Sequence, residues 1–179
     1  KLVKAGHRVA VCDQLEDPKL AKGIVKRGVT ELVTPGTATN EKILENNTNN
    51  FLASVFIHEE KHGVAFLDVS TGEFLCAEGN TEYIDKLLQS FRPSEVIFQK
   101  QKKSFFQEQF GNKFYTYLLD EWIFSAQYAT DTLLQHFETV NLKGFGISDM
   151  PAAIIAAGAI LHYLKDTEHQ QLGHISSIQ

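Results

Sequence analysis

The sequence predicts an α/β fold built on a mixed sheet, preceded by a shorter and incomplete α/β piece. Apolar runs joined by short polar turns come first, and runs with helical spacing then alternate with short apolar runs. In addition, the 179-residue chain changes the sign of its charge at one Pro-Gly turn. With 43% apolar and 22% charged residues, the chain has an ordinary globular composition, and its length allows one domain plus a remnant.

The charge distribution divides the chain near residue 37. Residues 1–37 carry seven basic and four acidic side chains, a net charge of +3, whereas residues 38–179 carry ten and eighteen, a net charge of −8. The sign changes at Thr34-Pro35-Gly36-Thr37, where a glycine after a proline favours a type II turn. A polar tract follows, so we place a domain boundary here, with a linker over residues 38–50.

The first 37 residues predict only part of a fold. Strands are expected at Arg8–Cys12 and Val29–Val33, with a short helix near Asp17–Lys22 between them and the tail of a helix at Lys1–Ala5. Two strands and one turn of helix cannot enclose a core of their own. We therefore interpret residues 1–37 as the remnant of a larger α/β domain.

The acidic part begins with three predicted antiparallel strands. Phe51–Ile57 and Gly63–Val69 flank a polar segment and predict a hairpin. Ser70–Glu73 predicts a second turn, before a strand at Phe74–Ala77. Antiparallel strands joined by short turns are therefore expected at the start of the sheet.

After the third strand the apolar spacing becomes helical. It predicts a helix that begins at Asn80 or Thr81 and ends before Pro93, and then a buried strand at Val96–Phe98 of the kind found in parallel pairs. The remaining elements are expected in this order: a helix at Lys103–Phe110, a strand at Phe114–Leu119, a helix from Asp120 to about Phe137, and a last helix from near Ser148 to about Asp166.

The predicted order is β-β-β-α-β-α-β-α, which is shared with the ribonuclease-H-like fold. We expect this domain to occupy residues 51–147. Residues 148–179 are expected to hold its last helix and, from Gln170 onward, an extended exit into a further domain.

One short motif has the letters of a zinc-peptidase site. His58-Glu59-Glu60-Lys61-His62 matches HExxH, which binds zinc when a helix places both histidines on one face. Here the string lies between two predicted strands, so we interpret it as a hairpin loop.

The two cysteines, Cys12 and Cys76, form no CxxC pair and are typical of a protein of the reducing cytoplasm.

Asp68 carries the alternative hypothesis of a ribonuclease-H-like, metal-dependent nuclease. It ends a predicted strand, where such nucleases hold magnesium with convergent carboxylates. The candidate partners, Glu95 and Asp149, lie at the starts of other elements. No feature of the neighbouring sequence indicates that either residue binds a metal ion together with Asp68. An aspartate before a turn more often accepts hydrogen bonds from the turn amides, here those of Ser70–Gly72.

No cofactor or metal site is expected in this chain. Gly36–Lys42 resembles a phosphate loop, but Glu41 replaces its second glycine and would repel phosphate.

The longest run of small apolar residues, Ala152–Leu161, is about half of the roughly 20 residues that span a bilayer. No membrane partner is therefore expected.

Several segments together resemble the MutS family of DNA mismatch repair proteins. Those similar to the end of the family's mismatch-binding domain are Lys1–Cys12, Asp13–Pro18, Lys22-Gly23, Val25–Arg27 and Val33–Thr37. Those similar to its connector domain are Phe66–Phe74, Leu142–Gly146 and Ala157–Leu161. Those similar to the passage into its lever helices are His162–Asp166, Thr167 and His174-Ile175.

The resemblance implies a module that couples mismatch recognition to an ATPase and docks the partner protein MutL. The family's mismatch-reading phenylalanine and glutamate and its ATPase domain are expected outside this chain, which should therefore catalyse nothing itself. ATP and magnesium are implied only for the parent protein. That parent is expected to be a cytoplasmic homodimer that binds mismatched double-stranded DNA.

Two groups of residues are candidate contacts. For MutL we select one exposed helix face, and for the DNA backbone in the parent protein we select basic residues of the N-terminal remnant. In both groups the alternative is an ordinary solvated surface. The MutL candidates are Asp131, Thr132 and Gln135, and the DNA candidates are Lys19, Lys22, Lys26 and Arg27.

Overall fold

The computed structural model describes residues 2–17, 19–20, 23–38, 49–59, 61–169 and 172–179. The strands in this part of the chain are β1 (Val9–Gln14), β2 (Arg27–Val33), β3 (Phe51–Phe56), β4 (His62–Asp68), β5 (Phe74–Gly79), β6 (Glu95–Gln99) and β7 (Thr116–Leu119). The α-helices are α1 (Thr81–Phe91), α2 (Lys103–Phe110), α3 (Ala126–His136) and α4 (Pro151–Asp166). Short 3₁₀ helices span Val3–Ala5, Lys100–Lys102, Glu121–Phe124 and Lys143–Phe145.

The strands form a two-stranded antiparallel ribbon, β1-β2, and a five-stranded mixed sheet with the order β5-β4-β3-β6-β7. Within that sheet the β3–β4 and β4–β5 pairs are antiparallel, and β6 pairs in parallel with both β3 and β7. The predicted α/β class, with antiparallel strands followed by parallel ones, is confirmed. The N-terminal ribbon forms a separate sheet of two strands.

Helices cover both faces of the large sheet. Leu52 of β3 contributes to the core shared with α3 and α4, while its neighbour Ala53 contributes to the core shared with α1 and α2. This alternation follows from the side-chain period of two along a strand. Because both faces are buried, β3 and β4 have nearly continuous apolar sequences.

Helix α4 crosses the sheet as a largely buried element. Its small residues permit close packing: a Cβ on Gly158 would lie 2.5 Å from the Cα of Ala129 in α3. The backbones of α3 and α4 are therefore in close contact at this position. Along the described residues, no helix combines the length and the apolar character needed to cross a membrane.

The start of α4 is capped by a side chain from the sheet. Pro151 is the first helical residue, and the Ala152 amide donates a hydrogen bond of 3.0 Å to the carboxylate of Glu78 at the end of β5. The N-cap residue, Met150, provides no side-chain acceptor. A carboxylate suits the position, because free amides and the positive end of the helix dipole favour negative charge there.

We expect Glu78→Ala to lower the free energy of unfolding by about 1 kcal/mol, because the Ala152 amide loses its acceptor. Urea denaturation of the purified chain measures this change. Glu78 also pairs with Lys61 at 2.9 Å, and Lys61→Ala separates the two contributions. The Lys61 side chain is 57% exposed, whereas that of Glu78 is 6% exposed; because solvent screens the Lys61 charge, this control should change stability by less than about 0.5 kcal/mol. Equal losses in both variants would contradict the cap.

The helix expected from Asp120 to Phe137 is interrupted. A 3₁₀ turn over Glu121–Phe124 ends at Ser125, whose backbone is extended (φ −94°, ψ 142°), and α3 begins at Ala126. This break lets Ile123 and Phe124 enter the core. One continuous helix would not bury these two residues together with the inner face of α3.

The expected helix near Asp17–Lys22 also differs: residues 17, 19 and 20 form a turn, and residues 18, 21 and 22 lie outside the described residues.

The last residues pack against the domain, so the expected extended exit from Gln170 is wrong for residues 172–179. Leu172, Ile175 and Ile178 are buried. Gln179 accepts a hydrogen bond of 2.6 Å from the Cys76 amide and donates one of 3.0 Å to the Phe74 carbonyl, both on β5. The segment therefore covers the outer edge of the sheet.

The two thiols should differ in reactivity. Burial raises the pKa of the Cys76 thiol to about 11, with a further contribution from the charge of Glu78, whereas Cys12 is exposed on β1. At about pH 8 we expect Ellman's reagent to label one thiol rapidly in the folded chain and both in denaturant, because the thiolate is the reactive form. Rapid labelling of both thiols in the folded chain would contradict the packing at β5.

Candidate functional site

The ribbon meets the large sheet at the turn Thr34-Pro35-Gly36-Thr37, whose two threonine side chains are fully buried. The Thr37 amide donates to the Thr34 carbonyl at 3.2 Å, and the two hydroxyls share a hydrogen bond of 3.0 Å. Gly36 has no positive φ, so the expected type II turn is wrong. The glycine is needed instead because a Cβ would lie 2.9 Å from Glu95 and Leu52.

Glu95, the first residue of β6, holds this turn. Its side chain is buried, with 3% of its surface exposed, and its two carboxylate oxygens accept hydrogen bonds from different elements. The Gly36 amide donates to Oε2 at 3.0 Å, and the Tyr163 hydroxyl of α4 donates to Oε1 at 2.7 Å. A buried carboxylate is stabilised only when it is paired in this way. Glu95 therefore links the N-terminal piece to two elements of the larger domain.

Arg8, just before β1, completes the contact from the N-terminal side. Its guanidinium lies 3.8 Å from the ring centre of Tyr117 in β7 and 5.6 Å from that of Tyr163. Burial opposes the charge of Arg8, but a hydrogen bond with Tyr117 and the charge of Glu95 leave its pKa raised. Burial and Glu95 also raise the pKa of the Tyr163 phenol far above its ordinary value, so the phenol stays protonated and remains a donor.

We call this cluster the interdomain joint and define it by the residues Arg8, Gly36, Glu95, Tyr117 and Tyr163. Its cation, buried carboxylate and aromatic rings come from the N-terminal piece and from β6, β7 and α4. Sequence reasoning missed all five in this role. The sequence feature that could have identified Glu95 is an acidic residue at the start of an otherwise apolar strand.

Further contacts continue the boundary on both sides of the joint. The Leu32 amide of β2 donates to the Thr167 carbonyl at 3.1 Å, just after the end of α4. On the other side, Gly6 adopts a positive φ of 85° and lies so close to the Tyr115 ring that any side chain at this position would clash. The N-terminal piece is therefore held by backbone as well as side-chain contacts.

Asn50 ties together the two ends of the predicted linker. Its side-chain amide donates to the Pro35 carbonyl at 3.0 Å and to the Ala38 carbonyl at 3.2 Å. Its Oδ1 accepts a hydrogen bond of 2.6 Å from Ser94, which precedes β6. Residues 39–48 lie outside the described residues, as does the Glu41 of the phosphate-loop comparison, so the linker is known here by its two ends.

Asp68 has the structural role expected of it. Its Oδ1 accepts hydrogen bonds from the Ser70 amide at 2.9 Å, the Ser70 hydroxyl at 2.6 Å and the Thr71 amide at 3.4 Å. Its Oδ2 accepts one from the Asn50 amide at 3.1 Å. The carboxylate thus holds the turn after β4.

The proposed partners of Asp68 in a nuclease do not converge on it. Glu95 is engaged in the interdomain joint, and Asp149 precedes α4 at the opposite end of β4, where the α4 backbone approaches Gly63. The five residue-to-residue steps from Gly63 to Asp68 along β4 span roughly 16 Å. Within the part of the chain that the structure describes, no three His, Cys, Asp or Glu side chains are grouped to hold a metal ion. The nuclease alternative is not supported.

Of the HExxH string, His58, Glu59 and Lys61 lie between β3 and β4, as expected, and His62 begins β4; Glu60 lies outside the described residues. The His58 amide donates to Nδ1 of His62 at 3.2 Å, and Nε2 of His62 shares a hydrogen bond of 2.9 Å with Thr81. Burial lowers the pKa of the His62 imidazole, and the neighbouring His58 adds to this effect. Both ring nitrogens of His62 are therefore engaged in holding the loop.

Two of the three MutL candidates lie on an exposed helix face. Asp131 and Gln135 are exposed on α3, whereas Thr132 is 5% exposed and donates its hydroxyl to the Tyr128 carbonyl at 2.7 Å. Thr132 shares the inner face of the helix, so its expected exposure is wrong. Sequence reasoning missed the nearby Trp122, which is 56% exposed, with its ring centre 5.1 Å from that of Tyr128.

The described basic candidates lie near the turn of the ribbon. Lys19 and Lys26 are exposed in the segment between β1 and β2, and Arg27 begins β2. Lys26 forms an ion pair with Glu16 at 3.3 Å, which partly neutralises the group. Lys22 lies outside the described residues.

Comparison with known proteins divides the chain at the same place as the joint. The family model for MutS domain I matches residues 1–42, and that for MutS domain II matches residues 50–176. The second match includes the segments that we expected to lead into lever helices, so residues up to 176 belong to domain II. This agrees with the packing of the last residues against β5.

Proteins described as DNA mismatch repair protein MutS are similar over nearly the whole chain. That of Flavobacterium psychrophilum is 60% identical over 178 residues, 99% of this chain and 21% of that protein. That of Christiangramia forsetii is 61% identical over 178 residues, 99% of this chain and 20% of that protein. That of Bacteroides thetaiotaomicron is 56% identical over 178 residues, 99% of this chain and 21% of that protein.

The chain spans about a fifth of the length of these curated relatives. It contains the matched part of domain I, domain II and the buried contact between them. The chain belongs to the MutS family of DNA mismatch repair proteins.

Proposed function

We propose that this chain is a non-catalytic coupling module of a mismatch repair protein. In this proposal domain II is the connector that links mismatch recognition, through domain I, to an ATPase domain elsewhere in the whole protein. The interdomain joint is the observation that carries the proposal. Glu95 binds the Gly36 turn of the domain I segment and the central helix α4 at the same time.

The physical properties of the joint suit the transmission of a movement. Its carboxylate is buried, so any loosening would leave polar groups without partners in a place that water does not fill. A displacement of domain I should therefore move α4 and β6 with it. Rigid elements joined by such networks are one physical route by which distant sites are coupled.

The strand order supports a ribonuclease-H-like fold for domain II. Numbered within the domain, the sheet has the order 3-2-1-4-5, with the second strand antiparallel to its neighbours. In our proposal this scaffold carries no nuclease chemistry, because Asp68 and Glu95 serve structural roles. The chain alone should neither hydrolyse ATP nor cleave DNA with magnesium.

The partners that we propose belong to the whole protein. They are mismatched double-stranded DNA, ATP with magnesium, a second copy of the protein in a cytoplasmic homodimer, and MutL. For MutL we propose the exposed face of α3 with Asp131 and Gln135, together with Trp122. An exposed tryptophan held against another ring is typical of residues that dominate binding energy.

The coupling role is tested with Tyr163→Phe in the full-length protein. This change removes the hydrogen bond to Glu95 and keeps the ring. We expect mismatch affinity and basal ATP turnover to change by less than about twofold, while the effect of mismatch binding on ATP turnover falls about fivefold or more. The matched control is Tyr83→Phe on α1, where the side chain is 46% exposed. Unchanged coupling in Tyr163→Phe would refute the proposal.

The docking face has a separate test. Asp131→Lys with Gln135→Lys should lower the capture of MutL by the full-length protein about tenfold, because the introduced charges oppose binding across the whole face. Glu108→Lys on α2 is the control, since Glu108 is also an exposed helix position. Capture that is equal in all three proteins would exclude this face and leave the coupling role untouched.

A further inference from the structure

A second polar contact crosses the boundary between domains I and II, away from the interdomain joint. It lies in a cleft of about 810 Å³ between the ribbon and the end of α4. The residues that form the contact are Glu31 of β2 and His169, three positions beyond α4. Nε2 of His169 lies 3.6 Å from Oε1 of Glu31.

The hydrogen bonds around His169 determine which nitrogen carries the proton. Nδ1 lies 3.0 Å from the Thr167 hydroxyl. That hydroxyl also lies 2.7 Å from the Tyr163 carbonyl and 3.2 Å from the Leu164 carbonyl. A carbonyl can only accept, so the single hydroxyl proton points to the carbonyls and Nδ1–H donates to the threonine oxygen.

In the neutral imidazole, Nε2 therefore carries a lone pair and no proton. This lone pair faces the Glu31 carboxylate, which also has only lone pairs to offer. The His169 side chain is 9% exposed, and Nε2 is buried without a hydrogen-bond partner. Because Nε2 is buried, water does not supply it with a partner. Adding a proton to Nε2 would allow it to donate a hydrogen bond to the Glu31 carboxylate.

We propose that His169 and Glu31 form a proton-linked latch between domains I and II. When the imidazole takes up a second proton, Nε2–H donates to the carboxylate and creates a charge-assisted hydrogen bond across the boundary. The negative end of the α4 dipole favours the same charge near the end of the helix. The latch closes as the pH falls and opens as it rises.

The other charged and titratable groups near the cleft come from three elements. Lys165 lies in the last turn of α4 and Glu168 just beyond it, and His136 of α3 and His174 of the last segment lie nearby. Nε2 of His136 is bonded to the Ile175 carbonyl at 2.8 Å, and Nε2 of His174 to the Val69 carbonyl at 2.6 Å. A carbonyl oxygen can only accept, so Nε2 of each of these two histidines donates to a backbone carbonyl and not to Glu31.

The amide of Leu32 reports on the latch, because it follows Glu31 in β2 and bonds to the Thr167 carbonyl across the boundary. The experiment measures its hydrogen exchange in the ¹⁵N-labelled chain and divides the rate in Glu31→Met, whose side chain has a similar length and no N–H donor for Nε2, by that in the wild type at the same pH. We expect a ratio of about three at pH 5.5 and about one at pH 8, where the latch is open in both proteins.

The same ratio is measured in two histidine backgrounds. In His169→Gln the pH dependence should disappear, because the group that takes up the proton is gone. In His174→Gln, the matched control in the same cleft, it should remain. A ratio that is equal at both pH values, or a pH dependence that survives His169→Gln, would overturn the proposal.

Discussion

Glu95→Ala is expected to lower the free energy of unfolding by about 2 to 5 kcal/mol. The truncation leaves the Tyr163 hydroxyl and the Gly36 amide without an acceptor in a buried place. Each buried polar group that loses its partner costs about 1 to 3 kcal/mol. Urea denaturation of the wild type and the variant, followed by circular dichroism, measures the difference.

The control for Glu95→Ala is Glu108→Ala, which makes the same change at an exposed position of α2. We expect this control to stay within about 0.5 kcal/mol of the wild type, as surface substitutions generally do. Glu95→Gln should fall between the two, since one amide oxygen can still accept a hydrogen bond. Equal stability of the two alanine variants would show that Glu95 does not hold the joint.

Gly63→Ala is expected to destabilise the domain by about 3 kcal/mol or more. A Cβ at this position of β4 would lie 1.9 Å from the carbonyl oxygen of Ala152 and 2.2 Å from its carbonyl carbon. Both atoms belong to the backbone of α4, which can yield only if the whole helix moves away from the sheet. Overpacking of this kind generally costs 1 to about 3 kcal/mol and sometimes more.

Gly144→Ala is the matched control for Gly63→Ala. A Cβ on Gly144 would meet no heavy atom within 4 Å, and its backbone has no positive φ. We expect a change of less than about 0.5 kcal/mol, with a slight stabilisation where the alanine restricts the unfolded chain. If thermal denaturation finds Gly63→Ala as stable as this control, α4 does not lie so close to β4.

The alternation and spacing of apolar residues predicted most of the elements of domain II. Phe51–Phe56 and His62–Asp68 are buried on both faces, so their sequences are nearly continuous apolar runs. In α1, the apolar face and the Asn80 cap were both visible, and the Asn80 side chain accepts from the Tyr83 amide at 2.9 Å. Burial and local capping depend on near neighbours in sequence, which is why they could be predicted.

Contacts between distant parts of the chain, including those of the joint, could not be predicted in the same way. Gly36 and Glu95 lie 59 positions apart in the sequence, and Ala152 and its cap Glu78 lie 74 apart. Each pair depends on how separate elements pack, and no local pattern encodes that. The Gly36 turn illustrates the difference: a local rule predicted a positive φ, whereas the residue is small because Glu95 and Leu52 leave no space for a side chain.

The candidate surface of α3 was predicted in part. Residue type drew attention to Asp131, Thr132 and Gln135, and exposure separates them, because Thr132 follows Ala129 and precedes Leu133 on the buried face. Sequence reasoning missed Trp122 because a tryptophan followed by Ile123 and Phe124 is typical of a buried segment. The break at Ser125 places it on a separate 3₁₀ turn, where its ring is exposed.

Hydrogen exchange of the Gly36 amide distinguishes a rigid, buried joint between domains I and II from a loose contact between them. This amide donates to the buried carboxylate of Glu95. If the joint is rigid, Gly36 should exchange only when the domain unfolds, as slowly as the fully buried Ile97 of β6. Exchange of the Gly36 amide within minutes, while the Ile97 amide stays protected, would show that the joint does not hold domain I rigidly to domain II.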